Sequence, residues 1–116
     1  AGANYVITQM FFDNKKFFSF EKKCREEGIK VPIIPGLKPI SILKHLNTLP
    51  HRFHVDLPEP LIKEIIKCKT RDSIRQVGIE WCIEQSKELK DFNVPFLHYY
   101  SMGKSDNIKR IASAIF

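Results

Sequence analysis

The amino-acid sequence predicts an α/β fold with a parallel sheet. Three short apolar runs, at 4–9, 29–37 and 95–100, are each followed by a segment in which apolar residues recur at helical spacing. Strands that alternate with helices are typical of right-handed β-α-β crossovers between parallel strands. The predicted order of elements is β-α-β-α-α-β-α.

The first β-α unit has recognisable boundaries. Its strand ends in Gln9, Asp13 or Asn14 can cap the following helix, and Gly28 is a favoured residue just past a helix end. Basic residues of this helix alternate with apolar ones, which predicts a solvated face opposite a core stripe. The residues of that basic face are Lys15, Lys16, Lys22, Lys23 and Arg25.

The second unit joins the run 29–37 to a helix predicted over 42–49, with Ser41 as its cap and Pro50 as its end. A loop and a short helix over 61–67 follow. These elements bring the chain to its longest predicted helix.

That helix is predicted over 70–90, because its apolar residues fall on one stripe. Trp81 lies on the stripe, so we interpret it as a core residue rather than a ligand contact. The third strand at 95–100 precedes a last helix that Asp106 can cap.

Three parallel strands alone would leave two unpaired edges and one uncovered face, so the isolated chain is expected to associate with itself. The sequence also opens on Ala1-Gly2-Ala3, in what reads as a helix-to-strand junction. A (β/α)8 TIM barrel needs roughly 250 residues. The 116 residues would therefore supply its last three β-α units as a fragment. An open three-layer sheet is the alternative, although no G-x-G-x-x-G or G-x-x-x-x-G-K turn occurs.

Composition narrows the classes of function. The net charge of +6 is compatible with an anionic partner, but no nucleic-acid-reading motif occurs, so no nucleic acid is expected. No apolar run of 18 residues and no basic-then-apolar leader is present, so we expect no membrane association and a cytoplasmic location. Cys24, Cys68 and Cys82 form no C-x-x-C pair, which predicts buried thiols rather than a disulfide or a metal site.

Three separated stretches carry a family resemblance: GANYVITQMFFDN at 2–14, PIIPGLKPIS at 32–41 and LHYYSMGK at 97–104. In this order and spacing they resemble the C-terminal part of methylenetetrahydrofolate reductase, the flavin enzyme of the one-carbon pathway. The resemblance implies that residues 1–116 supply strands six to eight of an FAD-carrying (β/α)8 barrel. It also implies the reaction, in which NADH or NADPH reduces the flavin and methylenetetrahydrofolate then takes the hydride to become methyltetrahydrofolate.

The resemblance implies three folate contacts. Gln9 matches a glutamine whose amide pairs with the pterin ring, Lys104 matches a basic position facing the glutamate end of folate, and Tyr100 matches a tyrosine near that site. Each has a structural alternative. The glutamine can satisfy backbone groups at a strand end, the lysine can be solvated, and the tyrosine can be a core residue with a satisfied hydroxyl.

Two positions depart from the family pattern. His45 stands where a glutamine is common, and Leu49 stands where some members have a phenylalanine that stacks on the ligand. They lie one helical turn apart and are expected to share a face. Because leucine cannot stack, the contact with the pyridine nucleotide and the choice between NADH and NADPH stay open.

The family's general acid, an aspartate near the flavin and most FAD contacts come from earlier strands, so we expect no catalytic residue here and an inactive isolated chain. The parent enzyme is expected to be a homo-oligomer. One alternative is a self-standing binding module for an anionic ligand such as a polyglutamyl tail, which a start codon just upstream would favour. A nucleic-acid binder ranks last and would need a steeply salt-dependent affinity.

Overall fold

The computed structural model describes residues 5–94, 96–100, 111 and 113, without the side chain of Phe53. Its elements are β1 (Val6–Met10), α1 (Asn14–Glu26), β2 (Ile33–Leu37), α2 (His45–Phe53), α3 (Glu59–Ile66), α4 (Arg71–Asp91) and β3 (His98–Tyr99). The predicted order is confirmed as far as β3. The last helix and its cap at Asp106 fall mainly outside the described residues.

The three strands form one parallel sheet in the order β1-β2-β3. Val6 pairs with Ile33 and Gly36 pairs with His98, with an irregularity in the β1 ladder between Ile7 and Met10. The predicted α/β fold with a parallel sheet is therefore confirmed. A sheet of this kind is common to a barrel segment and to an open sheet, so the larger architecture stays a prediction.

Two hydrophobic cores hold the elements together. The first core lies between the sheet and helices α1 and α4; its buried residues are Phe11, Phe17, Cys24, Ile33, Leu37, Ile79, Cys82, Leu89 and Ile111. The second core joins the end of β1 and the segment after it to helices α2, α3 and α4; its buried residues are Met10, Phe12, Ile40, Leu49, Val55, Leu61, Ile65 and Ile74. Trp81 packs against the second core and donates from Nε1 to the carbonyl of Phe12 at 2.8 Å, which confirms its structural role.

Helix α1 begins as predicted. The Asp13 side chain accepts from the Lys15 amide at 3.0 Å, and Gly28 has the positive φ of +87° that glycine tolerates best. Asn14 is a buried helical residue. Its Nδ2 donates to the Gln85 carbonyl at 3.1 Å and to Glu88 Oε1 at 2.8 Å, so polar contacts join the start of α1 to α4.

The prediction for α2 is wrong at both ends. Ser41 is not its cap, because the Ser41 amide donates to His45 Nδ1 at 3.2 Å and the helix starts at His45. Pro50 lies inside the helix, which continues to Phe53 and ends with His54 in the left-handed conformation. An internal proline removes one helical hydrogen bond. Burial of Leu49 and Val55 in the second core offsets that loss.

Helix α4 passes very close to the segment after β2. A Cβ atom built on Gly78 would lie 2.7 Å from the carbonyl carbon and 2.9 Å from the nitrogen of Ile40, and would overlap the Ile40 carbonyl oxygen. Only glycine permits this approach. The contact fixes the backbone of Ile40 against the helix.

The basic face of α1 is exposed as predicted, since Lys15, Lys16, Lys22, Lys23 and Arg25 are all exposed. The three cysteines are free; Cys24 and Cys82 are buried as predicted, whereas Cys68 is only partly buried. None of the helices described is both long and apolar enough to cross a membrane.

Candidate functional site

The candidate ligand residues lie where the three parallel strands end. Gln9 is next to the last residue of β1, Lys38 directly follows β2, and Tyr100 directly follows β3. The carboxyl ends of parallel strands meet at one edge of a sheet, where α/β proteins commonly bind ligands. We call the region around Gln9, Lys38 and Tyr100 the C-terminal edge.

Gln9 has an exposed side chain that folds back on its own strand. Its Oε1 accepts from the Met10 amide at 2.9 Å, so the side chain satisfies a backbone group at the strand end. This geometry corresponds to the structural alternative for Gln9. The Nε2 group has no hydrogen-bond partner among the described residues, so one amide donor remains for a ligand.

Tyr100 lies across the sheet above Gly36. Its hydroxyl donates to the Thr8 carbonyl at 3.0 Å, and its ring meets His98 edge to face at a centroid distance of 4.6 Å. A Cβ atom on Gly36 would lie 2.7 Å from Cε2 of Tyr100, so the missing side chain makes room for the ring. The hydroxyl is satisfied inside the protein, which leaves the ring as the part of Tyr100 that can contact a ligand.

His45 is partly buried beside the C-terminal edge. Because Nδ1 accepts the Ser41 amide, we assign the ring proton of neutral His45 to Nε2. Burial, with a smaller contribution from the positive charge of Lys38, lowers the pKa of His45 to about 4. At neutral pH this side chain is therefore an uncharged donor rather than a cation.

Leu49 differs from His45 despite being one turn away on α2. It lies in the second core with 1% of its surface exposed. The face that the two residues were expected to share is thus turned largely toward the protein interior. Lys104, the remaining predicted contact, lies outside the described residues.

Lys38 was missed by the sequence reasoning. Only 3% of its surface is exposed, and within the described segments its ammonium has neither a carboxylate within ion-pair distance nor a hydrogen-bond acceptor. Burial lowers the pKa of Lys38, and the nearby Cys82 acts in the opposite direction. The sequence feature that could have indicated Lys38 is its position as one charged residue inside the otherwise apolar run IIPGLKPI at 33–40.

We expect His45 to make folding stability depend on pH. The unfolded chain binds a proton at this position near pH 6.5, whereas the folded chain does so only near pH 4. The stabilising contribution is therefore complete above pH 6.5 and is lost as the pH falls toward 4. For a half-buried group we expect about 1–2 kcal/mol.

The measurement is the free energy of urea unfolding between pH 7 and pH 4, for wild type and His45→Gln. The variant keeps an acceptor for the Ser41 amide but cannot titrate, so its stability should fall less over this range. His51→Gln is the control, because His51 is exposed. Equal pH dependence in wild type and His45→Gln would contradict the prediction.

The described residues include no group of three or more His, Cys, Asp or Glu side chains that could hold a metal ion. Among the described residues, the polar groups at the C-terminal edge are hydrogen-bond donors and one cation, Lys38. Such a set can bind and orient a polar or anionic ligand.

Comparison with known proteins identifies the family. The family model described as methylenetetrahydrofolate reductase matches residues 1–115. A probable methylenetetrahydrofolate reductase (NADPH) of Caenorhabditis elegans is 34% identical over 99% of this chain and 18% of its own length. Methylenetetrahydrofolate reductase (NADH) 1 of Arabidopsis thaliana is 31% identical over 88% of this chain and 17% of its own length.

A solved structure supports the fold. An uncharacterised protein from Clostridium thermocellum, described as binding two copies of 5-methyl-5,6,7,8-tetrahydrofolic acid, superposes with a TM-score of 0.65. It is 23% identical, and the match covers 98% of this chain and 43% of that protein. The chain spans less than a fifth of the length of the two relatives above. The match over residues 1–115 shows that the chain belongs to the methylenetetrahydrofolate reductase family.

Proposed function

We propose that this chain is part of an oxidoreductase that reduces 5,10-methylenetetrahydrofolate to 5-methyltetrahydrofolate with NADH or NADPH. The observation that carries the proposal is the family match over residues 1–115. We call the protein that contains this chain the parent protein. The relatives named above are described with NADPH in one case and NADH in the other, so both nucleotides are candidates.

We propose that residues 1–116 are the C-terminal portion of a (β/α)8 barrel. The support comes from the outer side of β1, where Tyr5, Ile7 and Phe20 are large exposed hydrophobic residues. An apolar cavity of about 340 Å³ lies there, between β1 and α1. A preceding β-α unit of a barrel would cover this surface and pair with the free edge of β1.

The C-terminal edge supplies the substrate contacts in this proposal. Gln9 offers its Nε2 donor to the pterin ring, Tyr100 offers the surface of its ring, and Lys104 pairs with a carboxylate of the glutamate end. His45 offers Nε2 to the pyridine nucleotide. Leu49 supports this arrangement indirectly, since its burial holds α2 in place.

FAD is the cofactor that the family implies. The described part of the C-terminal edge has few donors without a partner, namely Gln9 Nε2, His45 Nε2 and the Lys38 ammonium, and these do not make a dinucleotide site. The residues present therefore do not fit FAD by themselves. We propose that the parent protein binds the flavin mainly through residues outside this chain.

The free cysteines support a reducing, cytoplasmic compartment. The family match supports small-molecule substrates rather than nucleic acid or membrane as partners. A homo-oligomeric parent is part of the proposal, and its subunit number can be measured by light scattering.

The test compares the parent protein with the isolated chain. We expect the parent protein to oxidise NADH or NADPH in a methylenetetrahydrofolate-dependent reaction and to show a flavin absorption band. The isolated chain should give background turnover, keep no flavin after desalting, and associate through its uncovered sheet edges.

A parent protein without folate-dependent turnover would contradict the proposed function, and a monodisperse monomeric chain would contradict the proposal that the chain is a barrel segment. Micromolar folate binding by a colourless chain would instead favour a small binding module.

A further inference from the structure

We propose that Lys38 is an anion-binding residue, which holds a negatively charged oxygen group of a bound substrate at the C-terminal edge. The proposal rests on the proposed function for the identity of the substrates. It adds a contact at a position for which the sequence reasoning gave no role.

Lys38 is unfavourable for folding in its position. Only 3% of its surface is exposed, although its ammonium is not among the fully buried atoms without a partner, so a ligand can still reach it. A buried cation normally has a paired carboxylate or several hydrogen bonds, because an uncompensated charge strongly destabilises the folded state. Because the described residues provide Lys38 with no counter-ion, a bound ligand is a candidate partner for its charge.

The titratable groups that interact with Lys38 within the described residues do not neutralise its charge. Burial raises the pKa of the Cys82 thiol to about 12, so it is uncharged at neutral pH. His45 is also neutral, and it carries a donor rather than an acceptor on Nε2. None of the ion pairs between described residues includes Lys38.

The backbone around Lys38 is held rigidly. Lys38 follows the central strand of the sheet and precedes Pro39, whose ring restricts the backbone. The next residue, Ile40, is fixed by the close approach of Gly78. A cation held in this way loses little conformational entropy when it binds an anion.

The ligand chemistry follows from the substrates. Methylenetetrahydrofolate carries carboxylates on its glutamate end, and NADH or NADPH carries a diphosphate. Both present anionic oxygens, the groups with which an ammonium forms its strongest hydrogen bonds. The shared chemistry is an oxyanion, and separate measurements on the two substrates distinguish its source.

The experiment uses the parent protein and the variant Lys38→Met, which keeps much of the side-chain length but removes the charge. Lys44→Met is the matched control, because Lys44 is an exposed lysine at the start of α2. Three quantities are measured: the Tm without substrate, the KM for each substrate, and the Kd of 5-methyltetrahydrofolate and of NADH by calorimetry. The Kd values report binding whether or not turnover occurs.

We expect Lys38→Met to keep or raise the Tm, because a buried unpaired charge is removed. We also expect the KM and Kd for one substrate to rise about tenfold or more, as after loss of a charge-assisted hydrogen bond, while the other stays within about twofold. A rise in the KM and Kd for folate identifies a folate carboxylate as the group that Lys38 binds, and a rise in those for the nucleotide identifies its diphosphate. Lys44→Met should change neither.

The outcomes separate this proposal from the proposed function. Unchanged KM and Kd for both substrates overturn the role of Lys38, whereas an active wild type still supports the reductase. A lower Tm with unchanged binding also overturns it, because Lys38 would then pair with a carboxylate elsewhere in the parent protein. If the wild type binds a substrate and Lys38→Met weakens that binding as expected, but the wild type shows no turnover, only the reductase activity is contradicted. A wild type that binds neither ligand overturns both proposals.

Discussion

Replacing Gly78 with alanine is expected to destabilise the fold more than any other single methyl addition in the described chain. The new Cβ would overlap the carbonyl oxygen of Ile40 and lie 2.7 Å from its carbonyl carbon. A clash with a flexible side chain could be relieved by moving that side chain, but the atoms that face Gly78 belong to the backbone of Ile40. Overpacking typically costs about 1–3 kcal/mol, and we expect at least about 3 kcal/mol because backbone must shift.

That loss is large beside the total stability of a small domain, which is about 5–15 kcal/mol. Circular dichroism melting of Gly78→Ala should show a much lower Tm or no cooperative transition. Glu84→Ala is the control on the same helix, since Glu84 is exposed and its replacement should change stability by less than about 0.5 kcal/mol. Gly28→Ala should cost less than Gly78→Ala, because nothing lies within 4 Å of a Cβ there and only the positive φ opposes it. An equal Tm for Gly78→Ala and wild type would contradict this prediction, because it would show that α4 and the backbone at Ile40 can move apart at little cost.

Replacing Gln9 with leucine in the parent protein should raise the KM for methylenetetrahydrofolate about tenfold or more. The proposed contact uses the Nε2 donor of the amide, and loss of a buried hydrogen-bonding partner typically costs about 1–3 kcal/mol. The Tm should change little, because Gln9 is exposed and water can replace its bond to the Met10 amide. The rate of flavin reduction by NADH or NADPH, measured without folate, should stay near wild type.

The variant Gln9→Glu separates the two halves of the amide, since it keeps the acceptor atoms and loses the donor. A defect as large as that of Gln9→Leu would indicate that the Nε2 donor carries the folate contact. An unchanged KM for folate in Gln9→Leu would leave Gln9 only its observed role, in which Oε1 satisfies the backbone at the end of β1. Tyr100, Lys104 and Lys38 would then be the remaining candidates for folate contact.

Local signals predicted the elements that depend on local chemistry. Asp13 caps α1 and Gly28 follows it, as their local preferences predicted. The errors at Ser41 and Pro50 have a tertiary cause. Both residues have strong local preferences, but contacts with His45 and the second core decide where α2 begins and ends.

Only part of the candidate site was predicted from the sequence, for a related reason. The resemblance indicated Gln9 and Tyr100, and both lie at the C-terminal edge. It could not show that Leu49 would be buried or that Lys38 would be a cation without a counter-ion in the described chain. Burial depends on the packing of residues distant in the sequence, and a short motif does not contain that information.

The division of the interior into two cores has a consequence for how this part of the family can diverge. Helix α4 contributes Ile79, Cys82 and Leu89 to the first core and Ile74 to the second. The sheet contributes Ile33 and Leu37 to the first core and Met10 to the second, which also holds α2 and α3. We therefore expect insertions or exchanges in the segment from α2 to α3 to alter the region around His45 more than the pairing of β2, provided that Gly78 and Ile40 keep their contact.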